Sequence, residues 1–321
     1  MEPLAGLLVV DLTRYLPGAF ASRELQRLGA RVVRVEPPEG DPMRHVAPAW
    51  DDALNGGKES VACDLNAEPE LARALLARAD VVLEGFRPGV AARLGVGPGD
   101  APESAVYCSI TGFGVEGPHV ARAGHDLNYL GWAGLLEDTA PSLPPLQPAD
   151  LAAGALGAVT QILAALLERG RTGRGARLTI SMTHGSHRLV SHRLGGDPLP
   201  RFLTGGMACY RIYETADGRH LTVGALEPKF FARLCEVIER PELAEQQLDG
   251  DGQEGLAAEL AAVFAGRPLS DWLTLFEAED VCVGPVATLA EAAEEFGEGT
   301  AMPSARVGQH TEPWRRELGL H

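Results

Sequence analysis

Apolar residues come in short runs through the first half of the chain. Residues 7–12 (LLVVDL) are too few for a helix and read as a buried strand. After Pro17-Gly18, AFASRELQRLGA returns apolar positions at helical spacing and stops at Gly29. RVVRVE (31–36) reads as a second strand, ELARALLARA (70–79) as a helix and ADVVLEGF (79–86) as a strand. AVYCSITGFG (105–114) is a further strand running into a glycine turn. Strands alternating with helices predict a parallel sheet covered on both faces, an α/β fold.

Residues 150–170 (DLAAGALGAVTQILAALLERG) are apolar nearly all round, which predicts a buried helix stopped at Gly170, and GARLTISM follows as a strand. From about Asp197 the texture changes. RFLTGGMACYRIYETADGRHLTVGA predicts an antiparallel hairpin turning at ADG. PKFFARLCEVIER and GLAAELAAVFAG are amphipathic helices, and VCVGPVAT is strand-like, so the second half builds a smaller α+β unit. The expected domains are residues 1–196, joined by a returning segment 300–321, and residues 197–299. A chain of 321 residues is long enough for two cores.

Charge narrows the partners. Lys and Arg total 28 against 44 Asp and Glu, and the net charge of −16 argues against nucleic acid and anionic membranes. Any anionic ligand must then be met by locally placed arginines. Cys63, Cys108, Cys209, Cys235 and Cys282 are scattered without a CxxC pair, as in a reducing cytosol, so no disulfide framework is expected. The first residues lack a basic leader and no stretch reads as a membrane span, which gives a soluble cytoplasmic expectation.

Three places carry candidate chemistry. ARAGHDLNYLGWAG (121–134) sets a titratable pair, His125 and Asp126, after a glycine and ahead of an apolar run. Asp150 follows Pro148-Ala149 at the start of the long helix, where it serves as an N-cap, as an electrostatically tuned carboxylate, or as both. His184, His187 and His192 in MTHGSHRLVSH have no carboxylate or cysteine at metal-site spacing and read as an exposed polar loop. No dinucleotide fingerprint is present: GVGPGD (95–100) is a plain loop, and TRYLPGAF after the first strand lacks GxGxxG.

Long blocks carry a resemblance. LAGLLVVDLTRYLPGAF, LGARVVRVEPPEGDPMR, LNGGKESVACDLN, VVLEGFRPGVAARLGVG, YCSITGFGVEGP, AGHDLNYLGWAGLL, PADLAAGALGAVTQILAALLERGRTGRGARLTISM and YETADGRHLTVGALEPKFF stand in this order. The chain thereby resembles the family III CoA-transferase and α-methylacyl-CoA racemase superfamily, nearest its racemase branch. That resemblance implies a Rossmann-like CoA-binding large domain, a smaller α+β domain and an interlocked homodimer. In racemases of this kind the histidine of a GHD motif and an aspartate in an AD-hydrophobic-AG block are the two acid/bases, here His125 and Asp150. A glutamate in a GAIEPQF-type motif stands beside the histidine and maps onto Glu227, which the dimer would bring to His125.

The implied reaction inverts the carbon α to a CoA thioester, removing a proton on one face and returning one on the other through an enolate. Glu227 would orient the imidazole, and backbone N–H groups at the start of the Asp150 helix would hold the enolate oxygen. The alternatives are a transferase that uses Asp150 as nucleophile through an acyl-aspartyl anhydride, and a CoA-binding protein without activity. GHDLNY favours the racemase, because the transferases usually do without the histidine. CoA enters as part of the substrate, no prosthetic group is implied, and Arg34 and Arg87 are the expected contacts to CoA, with Lys58 as a third. Against the family pattern the chain is compressed between residues 182 and 210 and between 298 and 306, and MTHG replaces a Met-x-Asp-Gly-like turn.

Overall fold

The computed structural model describes residues 2–196, 203–297 and 302–320. The chain divides into two compact units, residues 1–192 with 300–321 and residues 193–299. The divisions expected after residues 196 and 299 fall at residues 197 and 300, outside the described ones, as do parts of both compressed segments and the Arg201-Phe202 start of the expected hairpin.

The first unit is built on a six-stranded parallel sheet: β1 (Leu8–Asp11), β2 (Arg31–Glu36), β3 (Glu59–Ala62), β4 (Val81–Glu84), β5 (Val106–Thr111) and β6 (Arg177–Ser181). Its order, β3-β2-β1-β4-β5-β6, reverses direction between β1 and β4, where the ends of parallel strands leave a crevice for a ligand. Register sets Val10 beside Val33 on one side and Val82 on the other, all without solvent contact. Burial on both faces is what makes these strands continuous apolar runs rather than alternating ones.

Around the sheet lie α1 (Tyr15–Arg27), α2 (Met43–Val46), α3 (Pro48–Asn55), α4 (Glu70–Leu76), α5 (Val90–Arg93), α6 (Asp126–Ala133), α7 (Gly157–Thr172) and α8 (Met182–Val190). The histidine-rich stretch expected as a loop is α8, which starts where Ser181 Oγ accepts the His184 N–H at 3.3 Å and buries Met182 and Ser186. A π-helical segment, Ala149–Leu156, runs directly into α7. Together they make 24 residues whose most apolar 18-residue window has a mean hydropathy of 1.7, long and apolar enough to cross a bilayer, contrary to the sequence reading. Only 39% of the most apolar window is buried, so the helix is not enclosed all round either. Ala155, Ala158, Val159 and Ile162 enter the core, whereas Leu156 is 47% and Leu167 71% exposed. An apolar sequence says which residues avoid water, not which of them have been given a neighbour.

The second unit is a three-stranded antiparallel sheet, β7 (Tyr210–Glu214), β8 (His220–Gly224) and β9 (Val283–Pro285), in the order β7-β8-β9. It carries α9 (Pro228–Val237), α10 (Gln253–Phe264) and α11 (Leu269–Phe276) around a core that includes Phe231, Phe264 and Trp272, and ends in α12 (Leu289–Phe296), which buries no residue. The chain then returns to the first unit as α13 (Thr311–Leu318), whose Trp314 is 1% exposed and whose Thr311 Oγ1 accepts the Ala62 N–H of β3. All five cysteines are free thiols.

Candidate active site

Beyond β5 the chain loops out and comes back as Gly124-His125-Asp126. Tyr129, one turn into α6, packs against this loop. A Cβ on Gly124 would come within 2.8 Å of its ring and one on Gly112 within 2.5 Å, so both positions need a bare backbone. The Tyr129 hydroxyl donates to the Gly124 carbonyl, and the His125 N–H donates to Asn128 Oδ1 at 3.0 Å. His125 is therefore held in extended conformation as the N-cap of α6, with an exposed imidazole.

Asp126 turns the other way. Its carboxylate is buried, Oδ1 accepts the Asp150 N–H at 2.9 Å, and the carboxylate also accepts from the Ala149 N–H. Asp126 thus caps the π-helical segment, the place expected for Asp150. Asp150 itself is the second residue of that segment, with Pro148 at its N-cap. The same bonds take the N–H groups of Ala149 and Asp150 that were expected to hold an enolate oxygen. Burial and then the neighbouring Asp126 charge push the Asp150 carboxyl up to about 7. Asp126 is also raised, by burial that outweighs its two backbone bonds. Burial, then the charge of Asp150, raises the Tyr129 phenol.

His125, Asp150 and Arg87 line one cavity of about 630 Å³, within the range of small-molecule sites. Arg87 enters from the turn after β4, where Glu84 Oε2 accepts the Phe86 N–H at 2.7 Å. Arg14 and Arg122 line the same cavity and were missed by sequence reasoning. Their signal was position: Arg14 follows the first strand, and Arg122 stands three residues before His125. A smaller cavity of about 250 Å³ is walled by Val35, Pro37, Asn66 and Leu94 and shares Arg14 and Phe86 with the larger one.

Arg34 and Lys58 are placed otherwise than expected. Arg34 lies inside β2, 4% exposed, with Nη2 2.8 Å from Asp51 and 3.3 Å from Asp41. Burial alone would lower its pKa, but the Asp51 hydrogen bond and the charges of Glu36, Asp51 and Asp41 hold it above the usual value. Its Nη1 is buried without a partner, so no ligand reaches it unless the cluster opens. Lys58 Nζ donates to the Ala19 carbonyl (2.8 Å), Ser22 Oγ (2.7 Å) and Asn55 Oδ1 (2.8 Å), and burial, opposed in part by Asp11, lowers it to about 7. Both are internal ties rather than ligand-facing cations.

Glu227 stands in the second unit, exposed, as the N-cap of α9, where its carbonyl accepts the Phe230 and Phe231 N–H groups. In α8, His184 Nδ1 pairs with Ser181 Oγ (2.7 Å) and His187 Nδ1 with the Ala133 carbonyl (3.1 Å). Among the described residues no three His, Cys, Asp or Glu side chains are grouped to hold a metal ion.

Comparison with known proteins gives the same direction. The model of the family described as CoA-transferase family III matches residues 4–303. The α-methylacyl-CoA racemase of Mus musculus is 35% identical over 99% of this chain and 93% of its own length. The succinyl-CoA:glutarate CoA-transferase of Mus musculus is 32% identical over 98% of this chain and 78% of its own. Among solved structures, a CAIB/BAIF family protein from Brucella suis superposes with a TM-score of 0.84 at 27% identity, covering 98% of this chain and 99% of the other.

Proposed function

Since the chain belongs to CoA-transferase family III, we propose that its cavity inverts the carbon α to a CoA thioester by proton transfer between two bases, as an α-methylacyl-CoA racemase-like isomerase. The observation that carries this reading is that His125 and Asp150 line one cavity, with the Asp150 carboxyl poised near neutrality. An acid/base pair works best when each member is half-protonated at the working pH, because each must then give a proton as readily as it takes one. In one direction Asp150 takes the α-proton and the imidazolium of His125 returns one to the other face; in the reverse direction the roles exchange. The enolate oxygen formed between these steps needs donors, and the Asp126 and Leu127 N–H groups at the start of α6, beside His125, have no carbonyl acceptor within their helix, the His125 carbonyl taking those of Asn128 and Tyr129.

Arg87 and Arg14 are the cations we assign to the CoA phosphates, and the smaller cavity that shares Arg14 gives the nucleotide end of CoA a place beside the larger. For Glu227 and for the assembly we keep what the resemblance implies, a group that orients the imidazole in a homodimer. The second reading is acyl transfer with Asp150 as nucleophile, favoured by the likeness to a succinyl-CoA:glutarate CoA-transferase. It leaves His125 without a chemical role, since attack on the thioester needs only the ionised Asp150 carboxylate.

The deciding experiment incubates the protein with a 2-methylacyl-CoA in deuterated water. The racemase reading expects α-deuterium incorporation that His125→Ala and Asp150→Asn each lower by roughly two to four powers of ten. Trapping of an Asp150 acyl adduct by hydroxylamine, with His125→Ala still transferring acyl groups, would replace it with the transferase.

A further inference from the structure

Asp126 has no part in the two-base scheme, yet it is the buried member of the His125-Asp126 pair, 8% exposed, and it points at the other catalytic element. A buried carboxylate is costly unless its oxygens are bonded. Asp126 meets that cost with the N–H groups of Asp150 and Ala149, which belong to the first turn of the π-helical segment and have no carbonyl of their own to bond. The bond spans 24 residues and joins α6, which carries His125, to the helix that carries Asp150. One carboxylate thereby fixes the spacing of the two groups across which a proton would have to move.

The charge matters as well as the bond. Near Asp150, α6 brings Asp126 and Tyr129, and the cavity wall brings His125 and Arg87. Of the neighbouring helices, α8 carries His184, His187 and Arg188 and α1 carries Arg23, Glu24 and Arg27. His184 and His187 are turned to Ser181 and to the Ala133 carbonyl. Among the described residues the charge that acts on the Asp150 carboxyl is that of Asp126, added to the effect of burial. Two carboxylates set together resist ionising together.

We propose that Asp126 is a positioning residue for Asp150: its carboxylate anchors the turn that carries Asp150 and presents a like charge to it, so the two aspartates act as a pair. The inference rests on the reading of Asp150 as a proton acceptor, but its test reads the Asp150 carboxyl directly. Carbon NMR titration of protein labelled in its aspartates, with Asp150→Asn identifying the signal, compares wild type with Asp126→Asn and Asp126→Ala. Asparagine keeps an oxygen acceptor for the Asp150 N–H and removes the charge, whereas alanine removes both. In Asp126→Asn the Asp150 titration is expected to fall by about one pH unit, with the Asp150 amide still protected from hydrogen exchange. In Asp126→Ala that protection is expected to drop at least about tenfold. The acid limb of α-deuterium exchange should move to lower pH in Asp126→Asn alongside the carboxyl. A carboxyl that moves in a protein that exchanges no α-proton would keep the pair and remove the racemase. An Asp150 titration unchanged in Asp126→Asn overturns the pairing, and so does amide protection unchanged in Asp126→Ala.

Discussion

Replacing Arg34 by methionine separates a structural arginine from a ligand-binding one. The substitution keeps most of the side-chain volume and leaves Asp51 and Asp41, 1% and 2% exposed, without the guanidinium that lies 2.8 and 3.3 Å from them. Removing one partner of a buried ion pair costs about 3–5 kcal/mol, because the remaining charge stays out of water. Arg44, 3.6 Å from Asp51, shares that charge and puts the expected loss at the lower end. At about 2–4 °C per kcal/mol for a unit of this size, roughly 3 kcal/mol lowers the melting temperature by about 6–12 °C. The effect should also depend on pH. Glu36 and Asp51 are buried, which alone would raise them, but their bonds to Arg44 and Arg34 hold both carboxyls below the usual range. A depressed folded pKa gives stability that is present above the unfolded value, about 4, and is lost as pH falls through the folded one. Wild type should therefore lose stability on acidification more steeply than Arg34→Met, and the gap between them should close. Calorimetry from neutral pH to about pH 3, paired with CoA titration at pH 7, measures both. A variant that melts within about 2 °C of wild type but binds CoA about tenfold more weakly would refute the internal role and return Arg34 to the ligand.

Two further outcomes follow from the same geometry. Arg87→Ala, at an exposed position on the cavity wall, should weaken CoA binding about tenfold or more by calorimetric titration, one charge-assisted contact being worth on the order of 1.5–3 kcal/mol, with little change in melting temperature; unchanged affinity would show that the nucleotide lies elsewhere. The exposed Leu156 and Leu167 on the long helix, with the implied interlocked assembly, lead us to expect a dimer in sedimentation at micromolar concentration, and a compact monomer there would remove the assembly from the reading.

Strands buried on both faces were legible because burial leaves a continuous apolar run, as in β1, β4 and β5. β3 was not, since ESVA at the sheet's edge offers too few apolar residues to stand out from its surroundings. The change from π-helix to α-helix at Gly157 has no sequence mark, because it differs in which carbonyl each N–H reaches rather than in which residues are apolar. His125 and Asp150 could be named from their motifs, but the capping of one helix by Asp126 needed the two to be seen side by side. Arg34 had a readable signal that was passed over. A charge inside a strand buried on both faces needs a buried counter-charge, and EGDPMR and AWDDALN supply Asp41 and Asp51 within 20 residues.

The return of α13 to β3 has a consequence for how the molecule is made. The Ser60 N–H bonds His310 Nδ1 across 250 residues of chain, and Trp314 closes over the same edge with its Nε1 on Glu59. Synthesis runs from the N-terminus, so the whole second unit is translated before those closing residues exist. Until then β3 is a nascent sheet's open edge, with unpaired backbone groups of the kind that other chains can join. Residues translated after the whole second unit are the ones that cover the edge of a sheet laid down before it, and the early sheet must wait for them.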